Sequence, residues 1–158
     1  MNKNILLNKD IILIKHCKGA PGLRYFGAGP NFLPCKGLYK LKVLLDKNTS
    51  WAINRTIKDL KHCLANSDVI VSLWSKNKIL GFGRALSDGI YRSVLWDIVI
   101  DHHHQGKGYG KVIVNSLLDS KIIKQSEKVY LMTSNHKDFY CQIGFKEVLS
   151  QKLLFKKY

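Results

Sequence analysis

The segment Gln105-Gly106-Lys107-Gly108-Tyr109-Gly110 combines residue types and spacing that could do specific chemistry. It follows the apolar run Trp96-Asp97-Ile98-Val99-Ile100 and precedes a stretch of helical periodicity. A strand, a short glycine turn and a helix make the simplest backbone cradle for a diphosphate. The helix start offers unpaired N–H groups and the positive end of its dipole, and glycines let the main chain approach the anion. Two other phosphate motifs fail. No GxxxxGK[ST] string occurs, and Gly106-x-Gly108-x-Gly110 has the wrong spacing for the GxGxxG fingerprint of a dinucleotide fold. His102, His103 and His104 in succession suggest a metal, yet adjacent side chains in a turn point apart. Solvated loop histidines and no metal are therefore expected. Cys17, Cys35, Cys63 and Cys141 show neither CxxC pairing nor metal-ligand spacing, so reduced thiols are expected.

The elements that must hold this turn follow from periodicity. Residues 15–37 are rich in glycine and proline and read as irregular. Leu38 to Lys47 reads as a short helix. A second helix begins near Thr56, where Thr56 and Asp59 form a capping box, and ends near Asn66. Val69 to Trp74 is an apolar run suited to a strand buried on both faces. Lys76-Asn77-Lys78 makes a turn into a strand from Ile79 to Leu86, where Gly81 and Gly83 suggest a bulge or a close backbone approach. Asp88-Gly89 signals a hairpin into a long strand, Ile90 to Ile100. After the glycine turn, Tyr109, Val112, Ile113, Ser116, Leu117 and Ser120 share one helical face. Val129 to Thr133 reads as a strand, His136 to Gln142 as a short helix, and Phe145 to Phe155 as the closing strand or strands. With no repeats and no linker, a single domain is expected.

A chain of 158 residues can build one real core. Lys and Arg number 26 against 11 acidic residues, a formal charge of +15 that favours anionic partners. The basic residues are scattered, and the densest cluster is only Lys152, Lys156 and Lys157. That distribution suits a generally basic surface better than a nucleic-acid groove, although a basic nucleic-acid-binding protein stays an alternative. Ile5-Leu6-Leu7 and Ile11 to Ile14 are split by Asn8, Lys9 and Asp10. No signal-peptide core or membrane span is read there, so no membrane partner and a cytoplasmic location are expected, or the plastid stroma if the gene is organellar.

Gln105, Gly108 and Gly110 meet the pattern Q/R-x-x-G-x-G/A. With them, Leu95 to Leu118 resembles the central strand, pyrophosphate loop and following helix of the acetyl-CoA-dependent N-acetyltransferases of the GNAT superfamily. Phe139-Tyr140-Cys141-Gln142-Ile143-Gly144-Phe145 is similar to that superfamily's FYxxxGF segment, at the proper separation from the loop. Motifs and strand order together cover residues 56–148. More narrowly, Ser72-Leu73-Trp74, Gly81-Phe82-Gly83-Arg84-Ala85, Ser87-Asp88-Gly89 and Val94-Leu95-Trp96-Asp97 resemble the cyanobacterial and plastid branch. That branch includes serotonin-type arylalkylamine and protein-lysine acetyltransferases. His102 departs from the superfamily, which often has proline there.

The resemblance implies one α+β domain over residues 1–158, with a twisted, mostly antiparallel mixed sheet flanked by about four helices. It implies acetyl-CoA as co-substrate and a primary amine as acceptor, attacking directly in a ternary complex. The acceptor is left open between a small arylalkylamine and a protein lysine or N-terminus, and the protein between monomer and homodimer. The backbone of Ile98, Val99 and Ile100 would bond the pantetheine arm, and N–H groups from Gln105, Gly106, Lys107, Gly108, Tyr109 and Gly110 the pyrophosphate. Lys107 and Lys111 would add attraction or be ordinary surface charge. Asn135 would anchor the coenzyme or merely cap the next helix.

An alkylammonium has a reference pKa near 10.4 and must lose its proton before attack. Asp97 is the candidate to accept it or to orient the ammonium; the structural alternative is a salt bridge with Arg84 or Arg92, or a hydrogen bond to the neighbouring strand. Tyr140 matches the position of the general acid that protonates the departing thiolate, the alternative being a core tyrosine. A covalent route through Cys141 is less attractive, because no histidine has an evident reason to activate it. A coenzyme A sensor without turnover is a further alternative. Tyr25, Phe26, Phe32 and Trp51 could form an aromatic acceptor wall, or belong to the core.

Overall fold

This computed structural model describes residues 3–8, 10–17 and 36–157. Six strands form one sheet in sequence order: β1 (Lys3–Asn8), β2 (Ile11–Cys17), β3 (Val69–Ser75), β4 (Lys78–Ser87), β5 (Arg92–Ile100) and β6 (Lys128–Tyr130). Four ladders are antiparallel, and the last, between β5 and β6, is parallel. The described helices are α1 (Gly37–Asn48), α2 (Ile57–Ala65), α3 (Tyr109–Leu118), α4 (Lys121–Lys124) and α5 (Lys137–Cys141), with a 3-10 turn at His102–His104. The expected mixed, mostly antiparallel α+β sheet is what forms, with five helices among the described residues where about four were expected.

Strand alternation sorts the core onto the two faces of the sheet. Ile14, Ile70, Trp74, Phe82 and Val99 pack against Leu41, Leu44 and Leu45 of α1 and Leu60 and Leu64 of α2. On the other face Val71, Leu73, Ala85 and Leu95 meet Ile113, Val114 and Leu117 of α3 and Ile123 of α4. β3 is central to both, which is why it carries an unbroken apolar run and stays buried from Val69 to Trp74. Gly81 and Gly83 are explained by the second face. A Cβ on Gly81 would meet the Ile113 Cδ1 at 2.7 Å, and one on Gly83 the Ile113 Cγ2 at 2.9 Å. Their bare backbone lets α3 settle directly on β4.

Two sequence expectations are corrected. Residues 15–17, read as the start of the irregular stretch, belong to β2, and Ile5-Leu6-Leu7 and Ile11 to Ile14 lie in the paired strands β1 and β2. Residues 145–157 contain no strand. β6 is only three residues long and offers little edge to extend, so Leu149, Leu153, Leu154 and Phe155 remain exposed. Most of the glycine- and proline-rich stretch, with Tyr25, Phe26, Phe32 and Cys35, lies outside the described residues. Among the described residues no helix is long and apolar enough to cross a membrane.

Thr56 caps α2 as expected, but Asp59 answers through the Thr56 hydroxyl rather than through the Thr56 N–H of a full capping box. The Thr56 Oγ1 accepts from the Asp59 N–H at 3.1 Å and donates to the Asp59 Oδ2 at 2.7 Å. Thr56→Ala should cost about 1 kcal/mol. By calorimetry that is a fall in Tm of about 2–4 °C for a chain of this size; an unchanged Tm would mean the cap contributes nothing.

Candidate functional site

The site begins where a ladder stops. β6 pairs with β5 only through Arg92, Ser93 and Val94, and from Leu95 onward β5 has no described partner on that side. The two parallel strands part, and a groove of about 1170 Å³ opens beside them. Val94 and Trp96 of β5, Tyr130, Leu131 and Met132 at the end of β6, and Tyr140 of α5 all line it.

β5 is also irregular at this point. Phe82 pairs with Val99 and Arg84 with Trp96, so Asp97 and Ile98 together stand opposite the single residue Gly83. That is a β-bulge, and Asp97 occupies it with φ 53°, in the left-handed region. For a residue with a Cβ this conformation costs about 1–2 kcal/mol, least for Asp and Asn. The Asp97 side chain is 5% exposed, and its Oδ2 accepts from the Arg84 Nε at 2.6 Å and from Arg55 at 3.0 Å. Stripping a partner from a buried ion pair costs about 3–5 kcal/mol because the remaining charge is left uncompensated, so Asp97 depends on both arginines in this conformation. Arg84 also lies over the Trp96 ring at 5.9 Å, and Arg55 over the Trp51 ring at 5.4 Å. Of the two partners read from sequence, Arg84 pairs and Arg92 does not; Arg92 reaches Glu127 and Tyr130 instead. Arg55 was missed. It stands in an irregular loop 42 positions before Asp97, and no periodicity or motif marks it.

The glycine turn follows at the far end of β5. Gly106 and Gly108 have φ 73° and 79°, and Gly108 is the residue that opens α3. Side chains other than glycine enter this region only with strain, which accounts for the spacing. Gly110 has a different reason. A Cβ there would meet the Phe139 ring at 3.1 Å, so its bareness seats α5 against α3 rather than clearing a surface. Gln105, Gly106, Lys107, Gly108 and Lys111 are exposed, and Tyr109 is half-buried. The Gln105 side chain donates to the Ile100 carbonyl at 3.2 Å, tying the turn back to its strand.

Asp101 anchors the turn. It is buried, its Oδ1 accepts from the His103 N–H, and it pairs with His104 at 3.1 Å and Lys78 at 3.0 Å. Burial pushes its pKa up, but the hydrogen bonds from His104 and Lys78 and the Lys78 charge outweigh that and bring it down to about 2. His102 turns the other way, with its N–H and its Nδ1 at 2.8 and 3.0 Å from the Asn48 Oδ1. His102 is thus held by Asn48 while His103 and His104 are held by Asp101, and no cluster of three or more potential ligands converges among the described residues.

Tyr140 sits edge-on to Phe139 and Phe145, at 4.9 and 6.0 Å between ring centres. Its hydroxyl has no hydrogen-bond partner among the described residues, and burial pushes its pKa up. Asn135 is exposed and does not cap α5. His136 holds the cap position and donates its N–H to the Thr133 hydroxyl. The structure thus brings Tyr140 to the groove, while Asp97 turns to the α1–α2 face of the sheet and the glycine turn lies beyond the groove lining.

Residues 61–147 match the family described as Acetyltransferase (GNAT) domain, more than half of the 158-residue chain. The chain belongs to the GNAT family. It is 36% identical over 115 residues to an uncharacterized N-acetyltransferase, ycf52, of Pyropia yezoensis, covering 68% of this chain and 64% of that protein. It is 27% identical over 130 residues to the Arabidopsis thaliana protein named GCN5-related N-acetyltransferase 2, chloroplastic, covering 69% and 50%. The chain therefore spans less than two thirds of the length of these curated relatives. A crystal structure from Xanthomonas campestris, described as an acetyltransferase of the GNAT family, superposes with a TM-score of 0.67 at 19% identity, covering 91% of this chain and 92% of that one. This GNAT chain shares that fold.

Asp101 yields a pH prediction. Its folded pKa lies below the ordinary value, so its stabilisation is complete above the usual carboxylate range and is lost as pH falls through about 2. Urea unfolding should show Asp101→Asn less stable than wild type near pH 7. The gap should narrow near pH 3 and below; a gap constant with pH would remove Asp101 from this role.

Proposed function

We propose that this GNAT domain, read as one unit over residues 1–158, transfers the acetyl group of acetyl-CoA to a primary amine by direct attack. The observation that supports this best is the parting of parallel β5 and β6 beside a bulge, with a glycine turn opening α3 at one end and Tyr140 at the other. Extended pantetheine would lie along Ile98, Val99 and Ile100, using main-chain groups that the missing ladder leaves free. The N–H groups of Gln105 through Gly110 would meet the pyrophosphate, with Lys107 and Lys111 adding positive charge and Asn135 a polar contact near α5. The residues present fit such a ligand: two left-handed glycines, an exposed turn and no acidic side chain within it.

In the reaction the neutral amine attacks the thioester carbonyl carbon, the carbon–sulfur bond breaks, and the thiolate leaves with a proton. Tyr140 would supply that proton. Thiols have a reference pKa near 8.5 and phenols near 10, so the transfer needs no strong tuning. The raised pKa of Tyr140 keeps it protonated across the neutral range. The amine would lose its own proton towards solvent or, if Asp97 becomes free to serve, to Asp97. The acceptor is a small amine or a protein amine, and the word chloroplastic in the Arabidopsis relative's name supports a plastid stroma setting over a cytoplasmic one.

Acetyl-CoA at 100 times its dissociation constant should stabilise the protein by about 2.7 kcal/mol, read as a raised melting temperature. Absence of any shift would remove the acetyl-CoA reading, and a shift without thiol release from arylalkylamines or lysine peptides would leave a coenzyme A-binding protein without turnover. Tyr140→Phe should lower turnover by roughly 10²-fold or more with acetyl-CoA affinity little changed. Wild-type turnover should hold with rising pH until beyond the ordinary phenol range; a full-rate Phe variant returns Tyr140 to the core.

A further inference from the structure

We propose that Asp97 is a positioning residue: Arg84 and Arg55 clamp its carboxylate so that the β5 bulge stays formed where the strand leaves β6. This rests on the acetyltransferase reading above. The carboxylate is buried, and the same oxygen accepts from two guanidinium groups at 2.6 and 3.0 Å. A proton acceptor needs an oxygen facing the amine, and the Asp97 Oδ2 instead faces two groups that never give up their protons. Nor does it line the groove, although its neighbour Trp96 does.

The clamp has two independent anchors. Arg84 belongs to β4, the strand that pairs across the bulge, and it also reaches the Ser67 hydroxyl at 3.4 Å. Arg55 belongs to the segment between α1 and α2, directly before the Thr56 cap. Asp97 therefore ties that segment to the irregular turn of β5. From the opposite face, Ile113 and Leu117 press on Gly83, the residue facing the bulge. The bulge is held from both sides. The register it sets governs where the main chain of Ile98, Val99 and Ile100 presents itself.

Asp97→Asn and Arg55→Ala are compared with wild type by three measurements. These are amide hydrogen exchange without ligand over residues 49–56 and 97–100, kcat/KM for acetyl-CoA, and the pH–rate profile. Asn tolerates the left-handed conformation, so the first variant removes the charge and keeps the backbone preference. Both variants should exchange faster in both segments, lose on the order of 10²-fold in kcat/KM for acetyl-CoA, and keep the wild-type midpoint of the pH–rate profile. Arg55→Lys, which keeps the charge, should recover part of the loss. Exchange unchanged in both segments, or an Asp97→Asn profile that loses its acidic limb, overturns the proposal in favour of a base. Should Asp97→Asn not fold, Arg55→Ala carries the same test with the Arg84 contact intact. A wild type that fails to bind acetyl-CoA sinks the acetyltransferase reading alone, because the exchange measurement reads the clamp without ligand.

Discussion

A strand whose main chain has lost its neighbour is the constraint on which the rest of this structure depends. Buried peptide groups must find partners, and an unpaired edge in a sheet ordinarily zips to whatever strand lies beside it. Here β6 runs parallel to β5 for three residues and then leaves. Several features act against closing the gap. The bulge at Asp97 changes the register of β5 at the point of parting, and the segment after β6 leads away into α5. Tyr140, Phe139 and Phe145 form an aromatic wedge there. What remains is a cleft with backbone hydrogen-bonding capacity along one wall.

The glycines show how one residue type serves that cleft in two ways. Gly106 and Gly108 are required for their backbone angles, because the chain must turn from the end of β5 into α3 within a few residues. Gly81, Gly83 and Gly110 are required for what they lack. The first two let α3 lie against β4, and the third lets Phe139 lie against α3. Both uses set the position of the α3 N-terminus relative to β5. A single-helix displacement would move the turn and the cleft together, since Ile113 and Leu117 are fully buried against the same strands.

Much of this was legible in the chain. β3, α2 with its cap, the hairpin at Asp88-Gly89, the glycine turn and α3 all follow from local signals: burial runs, capping chemistry, positive-φ residues and helical spacing. The β1–β2 pair was hidden because its apolar residues do not alternate cleanly and the polar Asn8-Lys9-Asp10 reads in the sequence as a mere interruption. The closing strand was expected from apolar content alone, which is a necessary condition but not a sufficient one. A strand also needs an edge to pair with, and that is a property of the partner. At the site, Tyr140 and the turn carried motif signals. The Arg55 contact did not, since an ion pair across 42 positions is a product of the finished fold.

The charge distribution narrows what the acceptor side can do. A chain with 26 basic and 11 acidic residues repels a cationic amine at long range, so a local acid would be needed to reverse that field. Asp88 and Asp97 both have partners already. The Asp88 Oδ1 accepts the N–H groups of Ile90, Tyr91 and Arg92, which holds the hairpin and lowers its pKa. Asp97 is neutralised by Arg84 and Arg55. Glu147, which lines the groove, is paired with Lys137. On the proposed reading, an amine entering here would meet carboxylates that already carry partners. Attraction would, on that reading, come from the rest of the acceptor molecule: its apolar area against Trp96, Tyr130 and Met132, or negative charge of its own against the basic surface.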